Sequence, residues 1–89
     1  MKISKDFIRR DICGEALLIP VGTKTKEYNG IFTLSETGGF IWDLLPDAKS
    51  PDDIIDAVTK EFEIDRQTAE TDVLEFLGDL KKYGALLDG

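Results

Sequence analysis

The spacing of apolar positions changes about a third of the way along the chain. In the first third, short β-type runs are separated by glycine-containing turns, and the residues of each run fall on alternate faces, the pattern of short β-strands. We predict three strands, at residues 7–12, 15–21 and 30–34. Cys13-Gly14 is predicted to turn the chain after the first strand, and Asn29-Gly30, which readily takes positive φ, leads into the third. Strands so close in sequence predict an antiparallel meander.

From Ser35 onward, apolar residues recur every three or four positions, which indicates helices. Three helices are predicted, each preceded by a side-chain oxygen that can cap it, from Ser35, Ser50 and Asp65. Pro46 is expected to end the first helix and Gly84 the third. The residues predicted to form the apolar faces are Gly38, Ile41, Trp42 and Leu45, then Ile54, Ile55, Val58 and Phe62, then Ala69, Val73, Phe76, Leu77, Leu80 and Tyr83.

Three strands followed by three helices predict a compact α+β fold. At 89 residues the chain is long enough for one core, so we predict a single domain over residues 1–89. The apolar tail, Ala85-Leu86-Leu87, is predicted to pack back onto the sheet.

The composition is that of a globular protein, with 42% hydrophobic and 33% charged residues. No apolar run approaches the roughly 18 residues of a membrane span. The first residues lack the apolar stretch and cleavage site of a secretory signal, and a single cysteine cannot form an internal disulfide. We therefore predict a cytoplasmic protein with no membrane partner.

The net charge of −7 is unevenly distributed along the chain. Residues 1–34 carry six basic and four acidic residues, a balance of +2, whereas residues 35–89 carry five and fourteen, a balance of −9. An acidic helical half repels the phosphate backbone of nucleic acid, because lysine and arginine supply most nonspecific affinity for it. Such a half attracts a basic peptide instead.

Few residues of this chain suit catalysis. Histidine is absent, which removes the commonest acid–base group and the commonest metal ligand. Cys13 has no second cysteine with which to bind a metal or form a redox pair. Many acids fall where solvated helix faces are expected, namely Asp52, Asp53, Asp56, Glu61, Glu70, Glu75 and Asp79. We therefore predict no catalytic residue, no metal site and no cofactor.

Two glycines, Gly38-Gly39, precede a dense apolar cluster built around the only tryptophan. They lack the spacing of a phosphate-binding loop, and no basic residue lies between Leu34 and Lys49 to hold a phosphate. Without side chains, these positions instead let the first turn of the helix lie close against a strand or another helix. We predict this steric role.

Three stretches resemble the PqqD-like family: GIFTLSETGGFIWDLL (30–45), SPDDIIDAVTKEFEID (50–65) and TDVLEFLGDLKKYGALL (71–87). The resemblance extends from Phe7 to Leu87, with Ser35 where asparagine is frequent and Gly39 where alanine is usual. Members are small winged-helix-type domains that recognise precursor peptides in the biosynthesis of ribosomally made, modified peptides (RiPPs). The resemblance implies a stand-alone RiPP recognition element, winged-helix-like, with a three-stranded antiparallel sheet followed by three helices.

Strand addition is the mode of binding that the resemblance implies. In the family, the leader segment of a precursor peptide pairs with the third strand and lies in a groove against the third helix. An edge strand leaves backbone donors and acceptors that an extended peptide can satisfy. In this chain the predicted peptide-binding strand consists of Gly30, Ile31, Phe32, Thr33 and Leu34.

One edge of the apolar stripe on the third helix is acidic. Beside Phe76, this edge carries Asp72, Glu75 and Asp79. It is a candidate wall of the groove that would favour a leader bearing lysine or arginine, although each acid is also at an ordinary solvated position. The opposite edge, with Leu74 and Lys81, competes for the same role.

These features predict a noncatalytic adaptor that binds a precursor leader and presents the precursor to a separate modifying enzyme. For members resembling PqqD itself, that enzyme is commonly of the radical SAM type. One alternative is a winged-helix DNA-binding regulator, but residues 66–83 carry three basic and four acidic residues, and a net charge of −1 opposes groove binding. Another is a structural subunit whose open strand pairs with a second copy.

Overall fold

Strands precede helices in the structure, as the apolar spacing predicts. The computed structural model describes residues 1–26 and 30–87. Its elements are β1 (Phe7–Ile12), β2 (Glu15–Pro20), β3 (Phe32–Leu34), α1 (Glu36–Leu44), α2 (Pro51–Phe62) and α3 (Arg66–Tyr83). A short 3-10 helix, Gly22–Lys26, follows β2. The predicted α+β, winged-helix-like architecture is confirmed.

The sheet is the predicted antiparallel meander, in the order β1-β2-β3. β1 and β2 pair over their whole length, from Phe7 opposite Pro20 to Ile12 opposite Glu15. The turn between them is confirmed at Cys13-Gly14, whose φ angles of 54° and 80° suit the twist of a tight hairpin. β2 ends at Pro20, one residue earlier than predicted.

β3 is shorter than predicted, because Gly30 and Ile31 lie before it. Its three residues pair with residues 16–18 of β2. Two further steps in this register would place Gly30 opposite Pro20, which has no amide hydrogen to donate to the ladder. Asn29 lies outside the described residues, so the turn expected at Asn29-Gly30 stays a prediction.

The predicted caps of α1 and α3 are confirmed. The Ser35 hydroxyl accepts a hydrogen bond from the amide of Gly38 at 3.0 Å. The Asp65 carboxylate accepts one from the amide of Thr68 at 3.1 Å. Gly84 ends α3 at φ 78°, the left-handed conformation that lets a helix stop without a Cβ clash.

α2 begins differently from the prediction. Ser50 occupies the N-cap position, but its side chain makes no capping hydrogen bond. The Asp53 carboxylate instead accepts a hydrogen bond from the amide of Lys49 at 3.0 Å. Pro51 stands in the first turn, as expected. None of the helices in the described part of the chain is long and apolar enough to cross a membrane.

A single apolar cluster lies between the sheet and the helices. The predicted helix faces supply most of its buried side chains: Ile41, Trp42, Leu45, Ile54, Ile55, Val58, Ala69, Val73, Leu77 and Leu80. Phe62, Phe76 and Tyr83, which the apolar spacing also assigns to these faces, are only half-buried. The two aromatic residues of α3 therefore keep part of their rings available at the surface.

The apolar tail lies beside the segment that precedes β1 and does not join the sheet. Leu86 forms an isolated antiparallel bridge with Ile3, and the amide of Ser4 donates to the carbonyl of Ala85 at 2.8 Å. Ala85 and Leu86 are buried, whereas Leu87 is exposed. Ala85 and Leu86 belong to the same core cluster as Phe7 and Leu18 of the sheet, while the tail's backbone groups find partners in residues 2–4.

Candidate functional site

β3 is an edge strand of the sheet. β2 pairs with one side of it, and no described residue pairs with the other. An unpaired edge presents backbone N–H and C=O groups that another extended chain can satisfy. β1 forms the opposite edge, but it carries Arg9, Arg10 and Asp11, and charged side chains oppose pairing at an edge. β3 is therefore the edge better suited to a further strand.

A groove of about 370 Å³ lies between β3 and α3. Phe32, Thr33 and Leu34 all line its strand side. Consecutive strand side chains point to opposite faces, so a cavity lined by all three must reach the open edge of the strand. Its helix side consists of Phe76, Asp79, Leu80 and Tyr83. The unpaired backbone and one face of α3 thus line the same groove.

Stacked aromatic rings form one end of this groove. The ring centroids of Phe32 and Tyr83 lie 4.8 Å apart, with their planes 30° from parallel. Phe7 packs on Phe32 as well, at a centroid distance of 6.3 Å. Aromatic pairs in such geometry restrict each other's rotation. This end of the groove is therefore an apolar surface of defined shape.

The groove continues toward the start of α1. A second cavity of about 290 Å³ shares Ser35, Phe76 and Asp79 with the first. It adds Thr37, Gly38, Ile41, Asp72 and Glu75. Leu74, with 48% of its surface exposed, lines neither cavity, and nor does Lys81. The sequence allowed either edge of α3 to line the groove, and in the structure the acidic edge lines it.

Gly38 and Gly39 allow α1 to lie close to its neighbours on two sides. A Cβ on Gly38 would stand 3.2 Å from a ring carbon of Phe76. A Cβ on Gly39 would stand 3.0 Å from a guanidinium nitrogen of Arg9 and 3.3 Å from the Cβ of Ala16. The predicted steric role is confirmed, since one glycine faces α3 and the other faces the sheet.

The acidic edge of α3 places three carboxylates along the groove. Asp72, Glu75 and Asp79 are exposed, and none of them forms an ion pair with another described residue. Their charges are therefore not neutralised locally, and they favour a cation that approaches from solvent. Across residues 1–26 and 30–87, no three acidic or thiol side chains converge where a metal ion could bind.

Most of the predicted site residues meet at this groove. It is lined by Phe32, Thr33, Leu34, Asp72, Glu75, Phe76 and Asp79. Gly30 and Ile31 precede β3 and line neither cavity. That these residues bind a peptide stays a prediction.

Several groove residues were missed by the sequence reasoning: Leu18, Ser35, Thr37, Gly38, Ile41, Leu80 and Tyr83. Tyr83 follows Phe76 by seven positions and Asp79 by four, a spacing that puts the three on one helix face. That signal could have placed Tyr83 at the groove. Ser35 and Thr37 carried no comparable signal, because their place depends on how α1 approaches α3.

Known proteins share this sequence pattern and fold. The profile of the family described as coenzyme PQQ synthesis protein D (PqqD) matches residues 15–86. A structure of TbiB1 in complex with the TbiA(beta) leader peptide is 34% identical, with a TM-score of 0.79, over 100% of this chain and 98% of that one. A structure of lasso peptide synthetase B1 complexed with the leader peptide is 23% identical, with a TM-score of 0.78, over 98% and 96%. No curated protein matches the sequence.

The family match runs from the start of β2 to the bridge residue Leu86, so it includes the edge strand, the groove and all three helices. The TbiB1 structure extends the likeness to the whole chain at an identity well above chance. This chain belongs to the PqqD family.

Proposed function

We propose that this chain is a noncatalytic recognition element for the leader segment of a RiPP precursor. The leader adds as a strand to β3, lies against α3, and leaves the rest of the precursor accessible to a modifying enzyme. One observation carries the proposal: an unpaired strand edge and an aromatic, acid-rimmed helix face line the same groove. The leader peptide bound in the TbiB1 structure supports the same role for this chain.

Backbone pairing and side-chain contacts contribute differently to such binding. Hydrogen bonds to β3 supply affinity that depends little on the leader's sequence. Alternate leader side chains point into the groove, where Phe32, Phe76 and Tyr83 offer apolar surface. Asp72 and Asp79 favour lysine or arginine at the rim. Selectivity therefore comes from the groove walls, and the leader it suits has apolar anchors and basic residues.

The adaptor acts by holding the precursor near the enzyme and supplies no catalytic group. A leader held on β3 raises the concentration of the precursor beside the enzyme that modifies it. The proposal includes a cytoplasmic site of action and an enzyme in a separate chain. That this enzyme is of the radical SAM type stays a prediction, because neither similar structure bears on its chemistry.

Amide NMR of the ¹⁵N-labelled chain tests the proposal. The probes are the leader of a precursor encoded beside this chain, a peptide of the same composition in scrambled order, and duplex DNA. With the leader we expect shifts at residues 32–38 and on the groove face of α3, and none on the exposed face of α2. Smaller shifts are expected with the scrambled peptide, which keeps the charge but loses the order of anchors.

Three outcomes would count against the proposal. Shifts with DNA and none with the leader would favour the regulator. A leader that shifts only residues outside the groove would reject strand addition at β3. Silence with the leader, together with a concentration-dependent size in sedimentation, would favour a structural subunit that pairs with its own copy.

A further inference from the structure

Arg9 is a charged residue on the core side of the sheet. Side chains alternate along a strand, and Phe7, two positions earlier on β1, is buried in the core. Arg9 therefore points to the same face, where it lies opposite the buried Leu18. Its Nε is buried and has no hydrogen-bond partner among the described residues. A buried donor without a partner costs stability, so folding alone does not account for an arginine here.

The guanidinium of Arg9 joins the sheet to α1. Its Nη1 donates to the carboxylate of Asp43, which lies in the last turn of α1. Its Nη2 donates to Asp11, two residues along the same strand, at 3.2 Å. Of these two bonds, the one to Asp43 connects elements that are distant in sequence. It therefore restricts how α1 lies on the sheet, whereas the bond to Asp11 acts within β1.

Gly39 makes room for this link. A Cβ on Gly39 would stand 3.0 Å from Nη2 of Arg9 and 3.3 Å from the Cβ of Ala16, so the guanidinium lies directly against the helix backbone. One residue earlier, a Cβ on Gly38 would stand 3.2 Å from the Phe76 ring of α3. The first turns of α1 therefore lie between the guanidinium on one side and the ring on the other.

The helix that Arg9 contacts carries one wall of the groove. From α1 and its cap, the residues that line the cavity shared with α3 are Ser35, Thr37, Gly38 and Ile41. Any shift of α1 on the sheet moves these residues relative to Phe76 and Asp79 of α3, which line the same cavity. The position of α1 thus sets the width of the groove.

We propose that Arg9 is a positioning residue for leader binding, which fixes α1 on the sheet through Asp43 and the backbone at Gly39 and so sets the width of the groove. This inference rests on the proposed function, since the groove is the one assigned to the leader. Arg9 lines neither cavity of the groove, so it acts through α1 and does not touch the leader. Its unpartnered Nε costs stability, and that cost is offset by a defined binding surface.

Arg9→Met tests this proposal, because stability and leader affinity are expected to respond differently. Methionine keeps an unbranched apolar stem and removes the unpartnered Nε. The two carboxylates are more than half exposed, so they stay hydrated when they lose their partner. We expect the variant to unfold at the wild-type temperature or above it, since an apolar replacement of a partly buried ionic group is often neutral or stabilising. We expect leader affinity, measured by calorimetry, to fall about fivefold.

Arg10→Met is the matched control. It removes the same side chain and the same charge from the neighbouring position, where the arginine is exposed and points to the opposite face of the sheet. We expect leader affinity within about twofold of wild type. Arg9→Lys should recover most of the affinity that Arg9→Met loses, because one ammonium can still pair with Asp43.

Replacing the two carboxylates separates the link to α1 from the contact within β1. We expect Asp43→Asn to weaken leader binding about as much as Arg9→Met, and the double variant to bind no more weakly than either single one. Asp11→Asn changes the net charge equally and should bind leader within about twofold of wild type.

The chain without leader gives an independent reading. The nuclear Overhauser effect between the Hα protons of Gly38 and the ring of Phe76 reports the distance from α1 to α3. We expect it to weaken in Arg9→Met and in Asp43→Asn, and to stay unchanged in Arg10→Met.

Wild-type leader affinity in the folded Arg9→Met variant overturns the positioning role. A loss of affinity that only accompanies a lower unfolding temperature would make Arg9 a structural residue, which also overturns it. If the wild type does not bind leader, the proposed function is rejected. The Overhauser effect in the unliganded variants then still decides whether Arg9 positions α1, and an unchanged effect would reject that as well.

Discussion

Gly38 of α1 lies so close to Phe76 of α3 that a Cβ on the glycine would stand 3.2 Å from the ring carbon Cε1. Both residues line the cavity at the start of α1. Because Gly38 has no side chain, the ring of Phe76 can lie close to α1, where it forms part of the groove. The glycine therefore costs helix stability relative to alanine, but it leaves room for a ring of the groove.

Gly38→Ala separates the effect of this residue on helix stability from its effect on the position of the Phe76 ring. Alanine is favoured over glycine in a helix by about 1 kcal/mol, which offsets part of the cost of pushing the half-buried ring aside. We expect the displaced ring to move into the groove, because Phe76 lines both of its cavities. We expect the variant to unfold within a few degrees of the wild type but to bind leader about threefold to tenfold more weakly, as measured by calorimetry and thermal unfolding.

Gly78→Ala is the matched control. Gly78 also lies within a helix, but a Cβ there meets nothing within 4 Å. We expect it to stabilise the fold by about 0.5–1 kcal/mol and to leave leader affinity unchanged. Equal leader affinity in the two alanine variants would show that the position of Phe76 does not limit binding.

Thr33→Pro tests pairing at the edge. Thr33 is the middle residue of β3 and lies opposite Leu17 of β2. Proline there deletes a backbone donor or bends the strand. We expect leader affinity to fall at least about tenfold while the circular dichroism spectrum keeps its helical signal, since β3 contributes only three residues. Thr33→Val keeps the amide and should bind normally. Full affinity in a folded proline variant counts against strand addition.

Asp72→Lys combined with Asp79→Lys tests the acidic wall. The net charge changes from −7 to −3, since each replacement adds two units. We expect a basic leader to associate about tenfold more slowly at low salt, with a smaller effect at high salt because screening shortens the range of the field. Stopped-flow fluorescence of Trp42 or of a labelled leader gives the rate.

The control for this charge change is Glu61→Lys with Glu63→Lys, which alters the net charge equally at exposed positions outside both cavities. An equal slowing in both variants would mean that total charge, and not the wall, steers the leader.

The cap of α3 predicts a dependence of stability on pH. The Asp65 carboxylate accepts hydrogen bonds from the hydroxyl and the amide of Thr68, at 2.8 and 3.1 Å. These hydrogen bonds lower the pKa of Asp65 below its usual 3.8, and the bond from the hydroxyl contributes most. A lowered pKa stabilises the fold above the unfolded-state value, and this contribution is lost as pH falls through the folded-state value.

Asp65→Asn caps the helix without titrating there. We expect the wild type to be at least as stable as this variant at neutral pH and to lose stability relative to it between about pH 5 and about pH 2, measured by thermal unfolding. Glu61→Gln controls for the loss of one negative charge elsewhere. A constant difference between wild type and Asp65→Asn over this range would contradict the role of the cap.

Local chemistry accounts for the elements that were predicted well. Hydroxyl and carboxylate caps at Ser35 and Asp65, Gly84 at a left-handed position and the Cys13-Gly14 turn each act within a few residues. Their energies depend on the neighbouring backbone, so they are readable from sequence without knowledge of the fold. The apolar spacing located the core for the same reason.

The structure differs from the sequence predictions where segments that are distant in sequence meet. β3 begins only at Phe32, and an extension of its register against β2 to Gly30 would meet Pro20, which has no amide hydrogen. The tail pairs with residues 2–4, which are far away in sequence. The burial of Phe76 and Tyr83 depends on the angle at which α3 crosses the sheet. Their spacing along the helix is the same whether they are buried or exposed, so the sequence does not predict their burial.

By itself, the sequence determined the order of the elements and the faces that they bury, because periodicity, caps and turns act over short distances. Only the tertiary structure decided that the acidic edge of α3, and not Leu74, lines the groove. It also decided that Gly38 positions a ring of the groove and that Ile8 and Ile12 remain uncovered. These properties depend on how segments pack against each other. The apolar spacing of a helix is the same whichever neighbour its edges contact, so the sequence pattern does not reveal that neighbour.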